Sequence, residues 1–135
     1  MEKTLAILKP DAVQKKYAGK IIDRIYDKGF TIKELIMLQL NEEKAKKFYE
    51  VHKERPFFND LIQYMVSGPI IAAVLEKENA IKDWRELMGA TDPAKAQNGT
   101  IRKDYGVNMD ANAVHGSDSP QTASREINFF FPLIS

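Results

Sequence analysis

Two short stretches limit what this chain can fold into more than any other feature. Residues 4–8 (Thr4, Leu5, Ala6, Ile7, Leu8) and residues 70–75 (Ile70, Ile71, Ala72, Ala73, Val74, Leu75) run apolar on both faces. A strand turns successive side chains to opposite faces, so such a run belongs in the middle of a sheet. Residues 31–40 are also rich in β-branched and large apolar side chains, but Lys33 and Glu34 interrupt them. This third strand is expected nearer an edge.

Helices are expected between the strands. Ile21, Ile22, Ile25 and Tyr26 follow helical spacing within residues 19–28, and Gly29 closes that segment. Asn41 stands as an N-cap before Glu42 and Glu43, with Lys46 and Lys47 following, as the helix dipole favours. Pro56 breaks this helix, and a second stripe (Phe57, Phe58, Leu61, Ile62, Met65, Val66) runs to Gly68 and Pro69, making an inserted helical hairpin. Asn79 is placed to cap a helix through Ile81, Trp84, Leu87 and Met88, closed by Gly89.

From residue 90 to residue 117 periodicity is lost, apart from a short helical signal at Asp92-Pro93. Loops longer than roughly 12–15 residues are uncommon in compact domains and are usually functional or disordered. Ser119 and Pro120 then open a short helix, and residues 126–132 read as a final strand. The order reduces to βαββαβ. That is an α+β, ferredoxin-like antiparallel sheet with helices on one face, an inserted helical hairpin and a long active-site loop, in a single domain over residues 1–135.

Composition excludes several functions. Twenty basic and nineteen acidic residues leave a net charge of +1, which argues against a membrane-surface binder or a specific nucleic-acid partner. With no cysteine there is no disulfide framework, thiolate chemistry or cysteine zinc site. The longest apolar run, residues 69–75, is far short of the roughly 20 residues of a membrane helix, so the expected location is the cytoplasm. Familiar nucleotide cradles are missing too. Gln14 and Ile21 stand where a Walker loop needs Gly and Ser or Thr, and the seven glycines never form Gly-x-Gly.

What remains is residues 112–120, a polar stretch with one of only two histidines, His115, ending in a helix start. Turn-forming residues alone would make it an ordinary surface turn. With dispersed cations at Lys9, Lys53, Arg55, Arg85 and Arg102, it also suits an anionic ligand. Phosphoryl transfer needs a positioned nucleophile and positive charge around the transferred oxygens. Neutral histidine can carry the group covalently, and a carboxylate on its other ring nitrogen would fix the tautomer. Asp118 and Glu126 are both close enough in sequence to serve.

Several segments together resemble one family, the nucleoside diphosphate kinases. The resemblance rests on Asn112-Ala113-Val114-His115-Gly116-Ser117-Asp118, with support from residues 4–12, 55–58, 67–69, 89–93 and 99–102, in the family's order and over almost the whole chain. It implies ping-pong transfer of the γ-phosphate from a nucleoside triphosphate to a nucleoside diphosphate through a phosphohistidine at His115. It further implies that Lys9, Tyr49, Arg85, Thr91, Arg102 and Asn112 surround phosphates and ribose, that Phe57 stacks on the base, and that Glu126 orients His115 with Ser117 hydrogen-bonded nearby. Mg2+ would arrive on the substrate phosphates, with no protein metal site. Stacking uses a π-face that every base possesses, so broad base tolerance follows. The family also implies a homo-oligomer; the short tail ending at Ser135 leaves hexamer and tetramer both open. The alternative is a non-catalytic nucleotide-binding regulatory module on the same fold.

Overall fold

The computed structural model describes residues 1–132; the tail at Ser135 lies outside the described residues. Its frame is a four-stranded sheet of order β2-β3-β1-β4, antiparallel throughout. The two stretches apolar on both faces form β1 (Glu2–Leu8) and β3 (Ile70–Lys77), and they pair at the centre, Ala6 opposite Ala73. Strand β2 (Thr31–Leu38) is an edge, as its charges imply.

Alternation along the central strands divides the core in two. Ala6, Leu8, Ile71, Ala73 and Leu75 face one side, against Ile21 and Ile25 of α2 (Ala18–Asp27) and Trp84, Leu87 and Met88 of α5 (Ala80–Met88). Leu5, Ile7, Ile70 and Val74 face the other. There they meet Phe48 of α3 (Glu42–Phe48), Ile62 and Met65 of α4 (Phe58–Met65), and Ile127 of α7 (Pro120–Phe130). Helices therefore cover both faces, not one as the bare ferredoxin-like plan suggests. The reason is the apolar second face of β1 and β3, which the inserted hairpin and α7 remove from water.

The second correction concerns the end of the chain. Residues 126–132, expected as a strand, lie largely in α7, which runs to Phe130. The aromatic run suggested a strand, but the local capping chemistry specifies a helix. Ser119 Oγ accepts the Thr122 N–H at 3.1 Å, Thr122 Oγ1 accepts the Ser119 N–H at 3.1 Å, and Pro120 occupies the first turn. Ala123, Glu126 and Ile127 then share the buried face at helical spacing.

The fourth strand instead lies within the expected loop. Strand β4 (Val114–Gly116) pairs with β1, setting Gly116 opposite Ala6, His115 opposite Ile7 and Val114 opposite Leu8. The βαββαβ order survives, with its last strand only three residues long. The same expected loop holds α6 (Ile101–Tyr105), whose N-cap Thr100 accepts the Lys103 N–H at 3.3 Å. Two other helix starts divide likewise. Asn41 caps α3 through the Lys44 N–H at 2.8 Å, as expected. Asn79 does not cap α5: its φ is 58° and its side chain makes no cap bond, while Glu2 of β1 accepts the Ile81 N–H at 2.9 Å.

Gly116 shows how tightly β4 is seated. A Cβ at this position would lie 2.5 Å from Trp84 Cδ1 and 2.7 Å from Met88 Cε, and Trp84 is fully buried with little room to withdraw. Overpacking of this kind costs about 1–3 kcal/mol. Gly116→Ala should lower the unfolding free energy from urea titration by that amount and reduce activity with it; an unfolding free energy equal to the wild type would show that β4 is loosely docked.

Candidate active site

His115 owes its direction to strand alternation. Opposite Ile7, it points to the face covered by α3 and α7, while its neighbour Gly116 meets α5 on the other face. The ring lies edge-on to Phe48 at 5.6 Å and to Tyr49 at 6.4 Å. Its Nε2 is 2.9 Å from Glu126 Oε1 on α7. Ser117 Oγ donates to the same oxygen at 2.8 Å and itself accepts the Leu5 N–H at 3.3 Å, tying the group to β1.

Glu126 is almost fully buried. Burial works to raise its pKa, yet the hydrogen bond and charge of His115, with the Ser117 bond, together hold the carboxyl below its usual range. An ionised carboxylate only accepts hydrogen bonds, so Nε2 donates to it, and in the neutral ring Nδ1 keeps its lone pair. The ring is 20% exposed, so that lone pair is within reach of a ligand. Asp118, the other candidate for this task, instead accepts from Thr122 Oγ1 at 2.7 Å, which holds its own carboxyl low, and stands at the start of α7.

The cations are held by neutral groups. Lys9, at the end of β1 and 8% exposed, donates through Nζ to Asn112 Oδ1 at 2.9 Å, and Asn112 Nδ2 donates to the Thr91 carbonyl at 3.0 Å. Arg102 on α6 donates to the carbonyls of Gly89 at 3.0 Å and Val114 at 2.8 Å; its buried Nε has no partner among the described residues. Burial first, then the Arg102 charge, lowers the Lys9 pKa to about 8. Burial and the nearby Arg85 lower that of Arg102 to about 10. Tyr49 has a buried hydroxyl with no partner among the described residues, and its pKa is pushed up by burial and then by the Glu126 charge.

Arg85, Thr91 and Arg102 line one cavity of about 650 Å³, together with Gly89, Asp118 and Ser119. Lys9 and Asn112 join it through the Thr91 bond, and Arg102 reaches β4 through Val114. His115, Ser117, Glu126 and Tyr49 gather on the adjacent strand face. Phe57 stands apart: it precedes α4 on the hairpin, is 45% exposed, and lies 5.9 Å from the His52 ring without lining that cavity.

The family model described as nucleoside diphosphate kinase matches residues 2–134. The chain belongs to the nucleoside diphosphate kinase family. It is 60% identical over 131 residues to the nucleoside diphosphate kinase of a Nitratiruptor species, covering 97% of this chain and 96% of that protein. Among solved structures, the Aquifex aeolicus nucleoside diphosphate kinase matches with a TM-score of 0.94 at 50% identity, over 96% of this chain and 94% of that one. The Halobacterium salinarum nucleoside diphosphate kinase, solved in complex with CDP, matches with a TM-score of 0.93 at 40% identity, over 96% and 87%.

Several residues packed around this candidate site carry no catalytic signal in the sequence. Trp84 Nε1 donates to the His115 carbonyl at 3.1 Å, though its helical spacing marked it only as core. The Asp11 carboxylate accepts the Ala113 N–H at 3.2 Å. Ala113 has a φ of 75°, a backbone feature that no residue-type pattern announces.

The Glu126 shift has a pH signature. A carboxylate with a lowered folded pKa contributes stability above its unfolded value, about 4.3 for Glu, and loses it as pH falls through the folded pKa. Glu126→Gln should be less stable than wild type at pH 7, and the difference should shrink as pH falls from about 5. Chemical denaturation across pH 3–7 checks this; a gap that widens in acid would mean that Glu126 is not held ionised.

Proposed function

We propose that this nucleoside diphosphate kinase carries the transferred phosphoryl group on Nδ1 of His115. The observation that carries the proposal is the 2.9 Å bond from His115 Nε2 to buried Glu126, which occupies one ring nitrogen and leaves the other as nucleophile. In the first half-reaction the Nδ1 lone pair forms the N–P bond to the γ-phosphorus, and the bond from phosphorus to the β–γ bridging oxygen breaks. The diphosphate leaves with that electron pair. The proton stays on Nε2, and the positive charge on the ring is balanced by Glu126. In the second half a terminal oxygen of the acceptor diphosphate attacks phosphorus and the electron pair returns to Nδ1.

Lys9, Arg85 and Arg102 supply positive charge to the phosphate oxygens, and Asn112 and Thr91 position Lys9. The Nε of Arg102 and the hydroxyl of Tyr49 are buried donors without a partner among the described residues. Magnesium would enter on the nucleotide, where it would offset phosphate charge. Phe57, exposed on the hairpin, is the platform on which any base can stack.

The same reading takes residues 1–135 as one working domain, placed in the cytoplasm. No helix among the described residues is long and apolar enough to cross a membrane. It also takes the chain to assemble with copies of itself, as a homohexamer or homotetramer. Edge strand β2 exposes Leu35 (43%) and Met37 (60%), apolar surface suited to a second copy. A monomer's mass in sedimentation equilibrium would refute assembly.

The histidine step has a direct test. Incubation with γ-labelled ATP and magnesium should leave an acid-labile, alkali-stable phosphoprotein, and initial rates with two nucleotides should give the parallel reciprocal plots of ping-pong kinetics. His115→Ala should lose both label and turnover. Label retained by His115→Ala would end the proposal, and nucleotide binding without any labelling of the wild type would favour a regulatory module instead.

A further inference from the structure

One buried carboxylate acts on Lys9 through its charge but makes no bond to the side chains of the phosphate cluster. Asp11, 8% exposed in the first turn of α1 (Pro10–Gln14), uses one oxygen to accept the Tyr64 hydroxyl from α4. Its other oxygen accepts the Ala113 N–H at 3.2 Å. Ala113 is fully buried and held at a φ of 75°, where an L side chain is disfavoured. Its carbonyl accepts the Lys9 N–H at 2.8 Å, so the junction of β1 and α1 grips this residue on both sides. The chain turns here into β4, and His115 lies only two positions on.

We propose that Asp11 and Tyr64 form a positioning pair that keeps Ala113 in its strained conformation and thereby aims His115 at the phosphate. A three-residue strand has little pairing of its own to correct an error in its entry. Strain at Ala113 persists only while surrounding bonds over-determine it, and the Asp11 bond is the one that holds its N–H. Tyr64 extends the grip to α4, whose preceding residue is Phe57. The base platform and the aim of the nucleophile are thus joined through one hydroxyl and one carboxylate. The burial of Tyr64 and its bond to Asp11 push the hydroxyl pKa up, so it remains a donor throughout the neutral range.

The inference rests on His115 as nucleophile, and the test separates the two. Single-turnover phosphorylation of His115 by ATP is measured beside ADP affinity and thermal melting. Tyr64→Phe, which deletes one oxygen, should slow phosphorylation about tenfold, since small misplacements of a reacting group cost one to two orders of magnitude, and leave ADP affinity within about twofold. Asp11→Asn should slow it at least as much. Adding Ala113→Gly to Asp11→Asn should restore most of the rate, because glycine adopts a positive φ without steric cost. A merely structural strut would show no such rescue. Wild-type rates in both single variants, equal losses in affinity and rate, or no rescue by glycine would each overturn the positioning pair. Failure to label His115 in the wild type would overturn the phosphohistidine reading and this proposal with it.

Discussion

The antiparallel pairing of Val114, His115 and Gly116 with β1 is the constraint on which the site depends. A strand must alternate, so fixing Gly116 against Trp84 on one face commits His115 to the other. On that face α7 already carries Glu126 at the right level, because Ile127 beside it anchors the helix in the same core as Ile7. The position of the nucleophile thus follows from packing on the opposite side of the sheet. Trp84 reinforces it by holding the His115 carbonyl.

The charges are arranged on the same economical pattern. Lys9 and Arg102 are buried, but their bonds go to an amide oxygen and two carbonyls instead of carboxylates. Their positive charge is therefore not neutralised by a bonded carboxylate, although Asp11 and Asp110 act on Lys9 through space, and the cost of burying it lowers the two pKa values to about 8 and about 10. A bound phosphate would relieve that cost. The one carboxylate bonded to His115, Glu126, spends one oxygen on His115 and Ser117 and sets the other 3.7 Å from Arg125, with no bond to Lys9 or Arg102. Cations left uncommitted and an anion committed to the histidine make a site prepared for a migrating anionic group.

Much of this was legible in the residues. Central β1 and β3, edge β2 and the inserted hairpin follow from where apolar and charged side chains fall. The misreadings have physical causes. Strand β4 is too short for a period to show, so His115 looked like part of a loop. Phe129, Phe130 and Phe131 carry strand propensity, yet the capping box at Ser119 and Thr122 starts a helix whose buried face includes Glu126. Covering of both sheet faces was implicit in the doubly apolar β1 and β3 but hidden by the simpler fold plan. Within the site, the residues that touch each other by charge were legible by type. Asp11, Tyr64 and Ala113 were not, because backbone strain and a bond across 102 positions leave no local pattern.

The central claim is that Glu126 holds Nε2 and so reserves Nδ1 of His115 for phosphate. The most direct measurement is heteronuclear phosphorus–nitrogen NMR on the phosphorylated protein carrying 15N-labelled histidine. The account predicts phosphorus coupled to Nδ1 of His115, with Nε2 still protonated. Phosphate on Nε2, or on His52, would contradict it.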